Sequence, residues 1–467
     1  MAFNLFKKNE KAEVIYSNGK VFTQDSDYPW ASAVACLNNK ILAVGDFEAM
    51  DNLIDNHTTI VDLDGKYMFP GFIDAHGIAV LDVFEDKYFA IDVDWDLETV
   101  LEHLADYANN NPDLDVIFGY GYNESITENY ENIDERCKML NAIDEERPIL
   151  LLGESCMACW YNSTSGFIIS DTANEECVDF VSLDYVLNLF VPFDFDEIEA
   201  SVKEVSNAYC DKGYTSIFNT YSPEYFDDLY LDSLMGLINH DLIRQRFFGS
   251  LYVNRPINPD LLMHKLMNKK TSCVEIGHIL SYDFLKLSVS SKDFSQSTLD
   301  TIMLAAADRG FNIHADGLDQ ESLENIYAAF ETVRANGYKN NTLAVASDFK
   351  MPEDALSDLE HALSFIQTWE TSLTDHSITS KVSNVAEAID NLTIIAAEII
   401  GASKDLGSIE KGKLADFVVF EENPLDMTLN QFSKAHANMT VLGGEIVYDE
   451  DDEANDELYD LISTMQL

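Results

Sequence analysis

Short apolar segments separated by turn residues make up the first part of the chain, residues 12–70. Residues 14–16 and 21–23 flank Asn18-Gly19, a dipeptide that favours a two-residue hairpin turn. Residues 33–35 and 41–45 flank Asn38-Asn39 in the same way. The pattern therefore predicts an all-β unit.

Residues 71–404 follow another pattern, in which apolar runs of strand length alternate with longer stretches of helical period. The strand candidates are 71–76, 115–121, 148–153, 214–219, 245–253, 284–290, 310–315 and 342–347. Alternating β and α units are typical of a parallel sheet with helices packed outside it. Their number favours a (β/α) TIM-like barrel, incomplete or remodelled, over an open sheet.

The β pattern returns at residues 405–450, where Gly443-Gly444 separates two further strand candidates. The two chain ends are therefore predicted to form one small β-sandwich, with the barrel inserted between them. Residues 451–467 begin with a run of acidic residues, and we expect them to form a solvated acidic tail.

The charge of the chain excludes two classes of partner. The sequence has 83 acidic and 29 basic residues, a formal net charge of -54. Nucleic acids and anionic membrane surfaces would repel such a protein. No apolar run is long enough for a membrane span or a signal peptide. Seven cysteines, an odd number, favour reduced thiols in the cytoplasm.

Two motifs stand at the borders of the predicted barrel. The first is DGKYMFPGFIDAH at 64–76, where a sandwich strand would turn through Pro-Gly into the first barrel strand. The second is LGSIEKGKLAD at 406–416, where the chain would leave the barrel and return to the sandwich. Both resemble motifs of the amidohydrolase superfamily. The resemblance implies the order sandwich, barrel, sandwich and a metal-dependent hydrolase of C–N bonds.

Looser matches resemble a narrower branch that includes N-substituted formamide deformylase. The matching segments are FGYGYN at 118–123, RPILLL at 147–152, ACWYNS at 158–163, GYTSI at 213–217 and FNIHADG at 311–317. This resemblance implies a large insertion after the first barrel strand, at about residues 88–200.

The family's metal ligands are only partly present. The resemblance places His76 at the first position of the strand-one His-x-His motif, but Ile78 stands at the second and cannot bind a metal. Lys286 lies in the fourth-strand segment, where the family often has a carboxylated lysine. A lysine within an apolar strand needs such a modification or a nearby carboxylate. His314 ends the fifth-strand segment.

Two alignments compete for residues 342–348. In the one we favour, Ser347-Asp348 is the strand-eight segment, so that Asp348 is both metal ligand and general base, and strands six and seven are missing or remodelled. In the other, the segment is strand six, and Val345 or Ala346 stands where the family has a histidine. Both alignments leave the strand-six histidine absent.

The sequence therefore predicts a protein descended from metal-dependent amidohydrolases, with a site reduced to His76, Lys286, His314 and Asp348. The implied cofactor is zinc, another divalent metal, or none, and the partners are a small molecule and, in a homo-oligomer, further copies of the chain. The main hypothesis is that metal binding is weakened or lost. The alternatives are an active mononuclear hydrolase that uses His76, His314 and Asp348, and a non-catalytic binding or structural protein.

Overall fold

The computed structural model describes most of the chain. The described residues are 10–77, 88–127, 133–153, 159–173, 195–220, 227–277, 279–347, 349–352, 356, 359–361, 365–368 and 382–450.

The described residues contain 21 strands, numbered in chain order. They are β1 (Val14–Ser17), β2 (Lys20–Phe22), β3 (Trp30–Ala31), β4 (Ala33–Leu37), β5 (Lys40–Gly45), β6 (Thr59–Asp62), β7 (Tyr67–Pro70), β8 (Phe72–Gly77), β9 (Phe89–Ala90), β10 (Ile117–Tyr122), β11 (Ile149–Gly153), β12 (Cys159–Tyr161), β13 (Tyr214–Asn219), β14 (Arg246–Val253), β15 (Leu280–Val289), β16 (Asn312–Gly317), β17 (Leu343–Ala346), β18 (Ile366–Thr368), β19 (Phe417–Phe420), β20 (Met439–Leu442) and β21 (Glu445–Asp449).

The α-helices among the described residues are numbered in the same way. They are α1 (Leu97–Asn110), α2 (Ile133–Asn141), α3 (Ser163–Ala173), α4 (Phe195–Asp211), α5 (Asp227–Asn239), α6 (Pro259–Ser272), α7 (Gln296–Asp308), α8 (Gln320–Ala335), α9 (Val385–Asp390), α10 (Ala396–Ile399) and α11 (Leu429–Phe432). A π-helical turn, Asn391–Ile395, joins α9 to α10. No helix of the described residues has the length and apolar character that crossing a bilayer requires.

Two sheets share one core, and together they contain strands from both ends of the chain. One has the order β5-β4-β1-β6 and the other β21-β20-β19-β7-β2-β3. Tyr16 and Val34 of the first sheet pack with Met68 and Phe417 of the second in one buried cluster. The pairing of β7 with β19 brings together the two segments that carry the sequence motifs.

A glycine is required where the chain passes from β7 to β8. A side chain on Gly71 would place its Cβ 2.2 Å from Thr215 Oγ1, closer than any real contact. The amide of Gly71 donates a hydrogen bond of 2.9 Å to the Asp416 carbonyl oxygen. The Pro-Gly step of the first motif and the aspartate that ends the second are therefore hydrogen-bonded neighbours.

Asp416 also links the sandwich to β14, the strand that contains Arg246. Its carboxylate accepts hydrogen bonds from Arg246 Nε at 2.7 Å and Arg246 Nη2 at 2.8 Å. The amide of Gly443 donates to the same carboxylate at 2.7 Å. Both side chains are almost completely buried.

The central sheet is parallel throughout, with the order β8-β13-β14-β15-β16-β17-β18. Helices α6, α7 and α8 connect successive strands and bury apolar side chains such as Leu266, Ile302 and Phe330 in one cluster with strand residues. Asp319 begins α8 as its N-cap and accepts a hydrogen bond from the Ser322 amide. The sheet is the core of an incomplete (β/α) barrel.

The favoured alignment of residues 342–348 is wrong. β17 pairs with β16 on one side and β18 on the other, so it is the sixth strand of the sheet. The alternative, with Val345 or Ala346 in place of the strand-six histidine, agrees with this order. The seventh strand, β18, was missed because three residues are too few to show a period of two. No eighth strand joins the sheet among the described residues.

Two of the strand candidates counted toward the barrel belong to another sheet. Segments 115–121 and 148–153 contain β10 and β11, which pair with β9 and β12. This sheet lies in the second of two compact units, whose described residues fall within Ala79–Val202 and Pro223–Gly236. Its core contains Val100 and Leu104 of α1 together with Leu151 and Trp160.

Candidate functional site

Two adjacent strands of the parallel sheet place three ionisable side chains on one face. In the register of β15 and β16, Lys286 lies opposite His314. Successive residues of a strand point to opposite faces, so Asp316 shares the face of His314. A third strand, β8, contributes His76 near its end. The four side chains therefore meet although they are up to 240 positions apart in sequence.

The Lys286 ammonium lies at the centre of this cluster. Its Nζ is 2.5 Å from Asp316 Oδ1, 2.9 Å from His314 Nδ1 and 3.3 Å from His76 Nε2. An ammonium group has three N–H donors and no acceptor. Each donor therefore has one acceptor within reach when both imidazoles are neutral and carry their protons on the far nitrogens.

Burial and neighbouring charges shift the pKa values of the side chains in the cluster. The Lys286 side chain is 2% exposed and that of His314 is 0% exposed. Burial, and next the neighbouring ammonium, lower the pKa of His314 well below its usual value, so that the ring stays neutral. Burial alone would raise the pKa of Asp316. The Lys286 charge outweighs burial and holds that pKa far below its usual range.

A second layer of contacts positions His76. Its backbone amide donates a hydrogen bond of 3.0 Å to Asp74 Oδ1. The Tyr209 hydroxyl donates to Asp74 Oδ2 at 2.8 Å, and Asp74 is completely buried. Because Asp74 and His76 lie two residues apart on β8, this bond fixes the end of the strand from which the imidazole projects.

Among the described residues, one buried nitrogen of the cluster has no hydrogen-bond partner. His314 Nε2 is buried and makes no hydrogen bond to any described residue. The ring of Phe218 lies beside His314, with centroids 5.5 Å apart at an interplanar angle of 62°. A buried polar atom without a partner costs free energy. It is therefore a position at which a ligand would gain a hydrogen bond.

The structure brings together three of the four predicted site residues, His76, Lys286 and His314. Asp348 and Ile78 lie outside the described residues. With β17 as the sixth strand, Asp348 no longer follows the last strand of a barrel, which was the reason for assigning it as ligand and base.

The sequence analysis missed Asp316 as a site residue. A signal was present, because His314 and Asp316 stand two residues apart at the end of an apolar strand and so share a face. The same argument was applied to His76 and Ile78 but not to the fifth strand. The nearby carboxylate that a buried lysine requires is Asp316.

By atom type and spacing, His76, His314 and Asp316 are suited to hold one divalent ion. Their ligating atoms all lie within 4.8 Å of one another. Asp316 Oδ1 is 3.5 Å from His76 Nε2 and 3.8 Å from His314 Nδ1. Tetrahedral zinc with ligands at about 2.1 Å needs separations of about 3.4 Å. Small side-chain shifts would suffice, but the Lys286 ammonium lies within hydrogen-bonding reach of all three atoms.

A second group of possible ligands lies on α8 and near it. Glu331, Glu360 and His361 have ligating atoms within the same limit. His361 Nδ1 is 2.6 Å from Glu331 Oε1, and the His361 amide donates to the same carboxylate. Glu360 is exposed. We interpret this group as a surface ion pair.

Residues 361–448 match the model of the amidohydrolase family. This match includes the second of the two sequence motifs, and solved structures of metal-dependent hydrolases share the fold of the chain. Both findings agree with the resemblance that the two motifs indicate. The narrower resemblance to N-substituted formamide deformylase stays a prediction.

Individual proteins resemble this chain at low sequence identity, either in sequence or in fold. The exoenzymes regulatory protein AepA of Pectobacterium carotovorum subsp. carotovorum is 21% identical over 377 residues, which cover 71% of this chain and 79% of that protein. A metal-dependent hydrolase from Pyrococcus horikoshii is 15% identical, with a TM-score of 0.64 over 91% of this chain and 99% of that one. An adenosine deaminase from Xanthomonas campestris with bound zinc is 12% identical, with a TM-score of 0.55 over 98% and 99%.

Proposed function

We propose that this protein hydrolyses a C–N bond of a small molecule with the help of a single divalent cation, most simply zinc, held by His76, His314 and Asp316. The observation that carries the proposal is the convergence of these three side chains from three strands of the sheet. Similarity to hydrolases with that fold, one of them a zinc-containing deaminase, supports the same reaction class.

The chemistry of the ligands suits one ion. Two imidazole nitrogens and one carboxylate oxygen are preferred zinc ligands, and three protein ligands leave one position for water or substrate. A cation bound there would polarise a carbonyl or amidine carbon and lower the pKa of a bound water. Asp316 is ionised and His314 is neutral, so both are in the protonation state that a ligand requires.

The experiment combines zinc binding with hydrolysis. Protein freed of metal is titrated with zinc and then assayed against a panel of amides, ureas and aminated heterocycles. We expect one equivalent at saturation and hydrolysis of at least one substrate, both lost in His76→Ala and in Asp316→Asn. The control is His361→Ala, which removes a ligand from the surface group alone and should change neither measurement.

A metal-free binding protein is the second candidate. The observation in its favour is the Lys286 ammonium, which already neutralises Asp316 and uses both histidines as acceptors. No zinc binding at saturating concentrations in the folded protein would contradict the hydrolase and favour this function. Zinc binding without hydrolysis of any substrate in the panel would also contradict the hydrolase.

A further inference from the structure

We propose that Lys286 competes with the metal ion for the same three side chains. When no ion is bound, the Lys286 ammonium holds these side chains together. The ammonium must leave before an ion can bind. This inference rests on the proposed function, because it takes the same three residues as ligands. It adds that the affinity for zinc is set by a fourth residue, Lys286, which is not itself a ligand.

The first step of the argument is geometric. Nζ lies 2.5–3.3 Å from all three candidate ligand atoms, which are themselves only 3.5–4.8 Å apart. A zinc ion bound to the same atoms at about 2.1 Å would lie well inside the contact distance of Nζ. The ammonium and the ion therefore cannot occupy the cluster together.

The second step concerns charge. An ammonium has no lone pair and cannot be a ligand, and it would repel a divalent ion at this distance. A carbamate formed on Nζ would add a second anion beside the Asp316 carboxylate, which already has its counter-ion in Lys286. The arrangement in the structure needs neither modification nor metal to be neutral.

The third step concerns the two histidines. Both present to Nζ the nitrogen that would bind the ion, so neither ring has to turn when one cation replaces the other. The lysine thus keeps the site assembled in the geometry that the ion needs, and it weakens binding because the ion must displace it.

The experiment replaces Lys286 by a side chain of similar length without charge. Zinc dissociation constants are measured by competition with a chromogenic chelator for the full-length wild type, Lys286→Met and Lys269→Met. Lys269 is a second buried lysine, located on α6 with its Nζ 5.5 Å from the centroid of the Tyr282 ring. Its variant is the matched control for removing a buried ammonium.

We expect Lys286→Met to bind zinc at least about tenfold more tightly than the wild type, and Lys269→Met to bind it as the wild type does. Tighter binding should disappear again in the double variant Lys286→Met/Asp316→Asn. If Lys286→Met folds poorly, Lys286→Gln, which removes the same charge but keeps a polar side chain, is measured in its place with the same expected result.

Weaker binding in Lys286→Met would overturn the inference, because Lys286 would then support the ion, as a carbamate or a neutral ligand does. Equal binding in the two proteins would also overturn it. The assay of hydrolysis keeps the two proposals apart. If Lys286→Met binds zinc tightly but no form of the protein hydrolyses a substrate, the proposed function is refuted and the inference stands. If the wild type has a zinc-dependent activity and Lys286→Met loses both this activity and the metal, the inference is refuted and the proposed function stands.

Discussion

Two ion pairs among the described residues, Arg246–Asp416 and Lys286–Asp316, differ in how completely they are enclosed. Arg246 and Asp416 join the third strand of the parallel sheet to the sandwich through two short hydrogen bonds, and the Gly443 amide binds the same carboxylate. Lys286 and Asp316 lie in the candidate site. There the carboxylate side chain is 18% exposed and the neighbouring His314 Nε2 has no partner among the described residues.

The difference in enclosure suits the two pairs to different roles. The Arg246–Asp416 pair stabilises the fold, and the Lys286–Asp316 pair belongs to the candidate site. A planar guanidinium fixes a carboxylate in one orientation, whereas an ammonium on a flexible stem makes a point contact and can be replaced by another cation. The Arg246–Asp416 pair leaves no room for a ligand, but the Lys286–Asp316 pair retains both an exposed edge and an unused hydrogen-bonding nitrogen.

The largest expected effect comes from the enclosed pair. Arg246→Met leaves the Asp416 carboxylate buried without its counter-ion, and we expect the free energy of unfolding to fall by about 3–5 kcal/mol. Urea denaturation measures it. Arg309→Met, which removes an arginine from the exposed pair with Asp308, is the control and should cost less than about 1 kcal/mol. Equal losses in the two variants would contradict the special role of Arg246.

Lys286→Met is the corresponding change in the site, and its cost should be smaller, about 2–3 kcal/mol, because water reaches the edge of Asp316. Zinc should stabilise Lys286→Met more than Arg246→Met, because the second variant keeps Lys286 and with it the weaker zinc affinity of the wild type. The melting temperatures of both variants with and without zinc test this. A zinc effect of the same size in both would mean that the two pairs do not differ as described.

The pH dependence of stability tests whether His314 is neutral in the folded protein. Burial, then Lys286, lower its folded-state pKa below the unfolded value of about 6.5. As the pH falls below about 6.5, His314 binds a proton in the unfolded chain but not in the folded chain. The free energy of unfolding therefore falls by up to about 1.4 kcal/mol per pH unit. His314→Gln should lack this contribution. Parallel curves for wild type and variant would contradict it.

Tyr209→Phe should have the smallest effect. It removes the hydroxyl that binds Asp74 but leaves the bond from the His76 amide to the same carboxylate. We expect a loss of about 1 kcal/mol in the free energy of unfolding and a measurable weakening of zinc binding through the position of His76. Unchanged zinc affinity at reduced stability would limit Tyr209 to a structural role.

Much of the architecture was predictable because it is encoded in local pattern. The hairpin turn at Asn38-Asn39 joins the antiparallel strands β4 and β5 as predicted, and the two motifs at the borders of the barrel are local signals as well. The hairpin predicted at Asn18-Gly19 is wrong. The turn forms, with a φ of 57° at Asn18, but β1 and β2 on either side of it lie in different sheets. The order of strands was harder, because β17 gives no sign in its own sequence of which neighbours it will pair with. The three-residue strand β18 is too short for any periodic signal.

The site was predictable only in part. His76, Lys286 and His314 were identified by resemblance, and the structure places them together. Asp316 was missed although its spacing from His314 on one strand was a signal. Its pairing with Lys286 depends in addition on the register that sets Lys286 against His314, which is a property of two strands. The ammonium at the centre of the ligands could not be read from the sequence at all, because it depends on three-dimensional distances.

The pairing of the two chain ends in one sandwich has a consequence for how the protein is made. The Tyr16 hydroxyl binds the Gly444 carbonyl oxygen across 428 positions of sequence, and β7 must pair with β19. At ribosomal rates of about 5–20 residues per second, the first strands wait tens of seconds for their partners. During that time the apolar face of β1 and the edge of β7 stay exposed in the nascent chain, for longer than in a protein whose first domain is completed early.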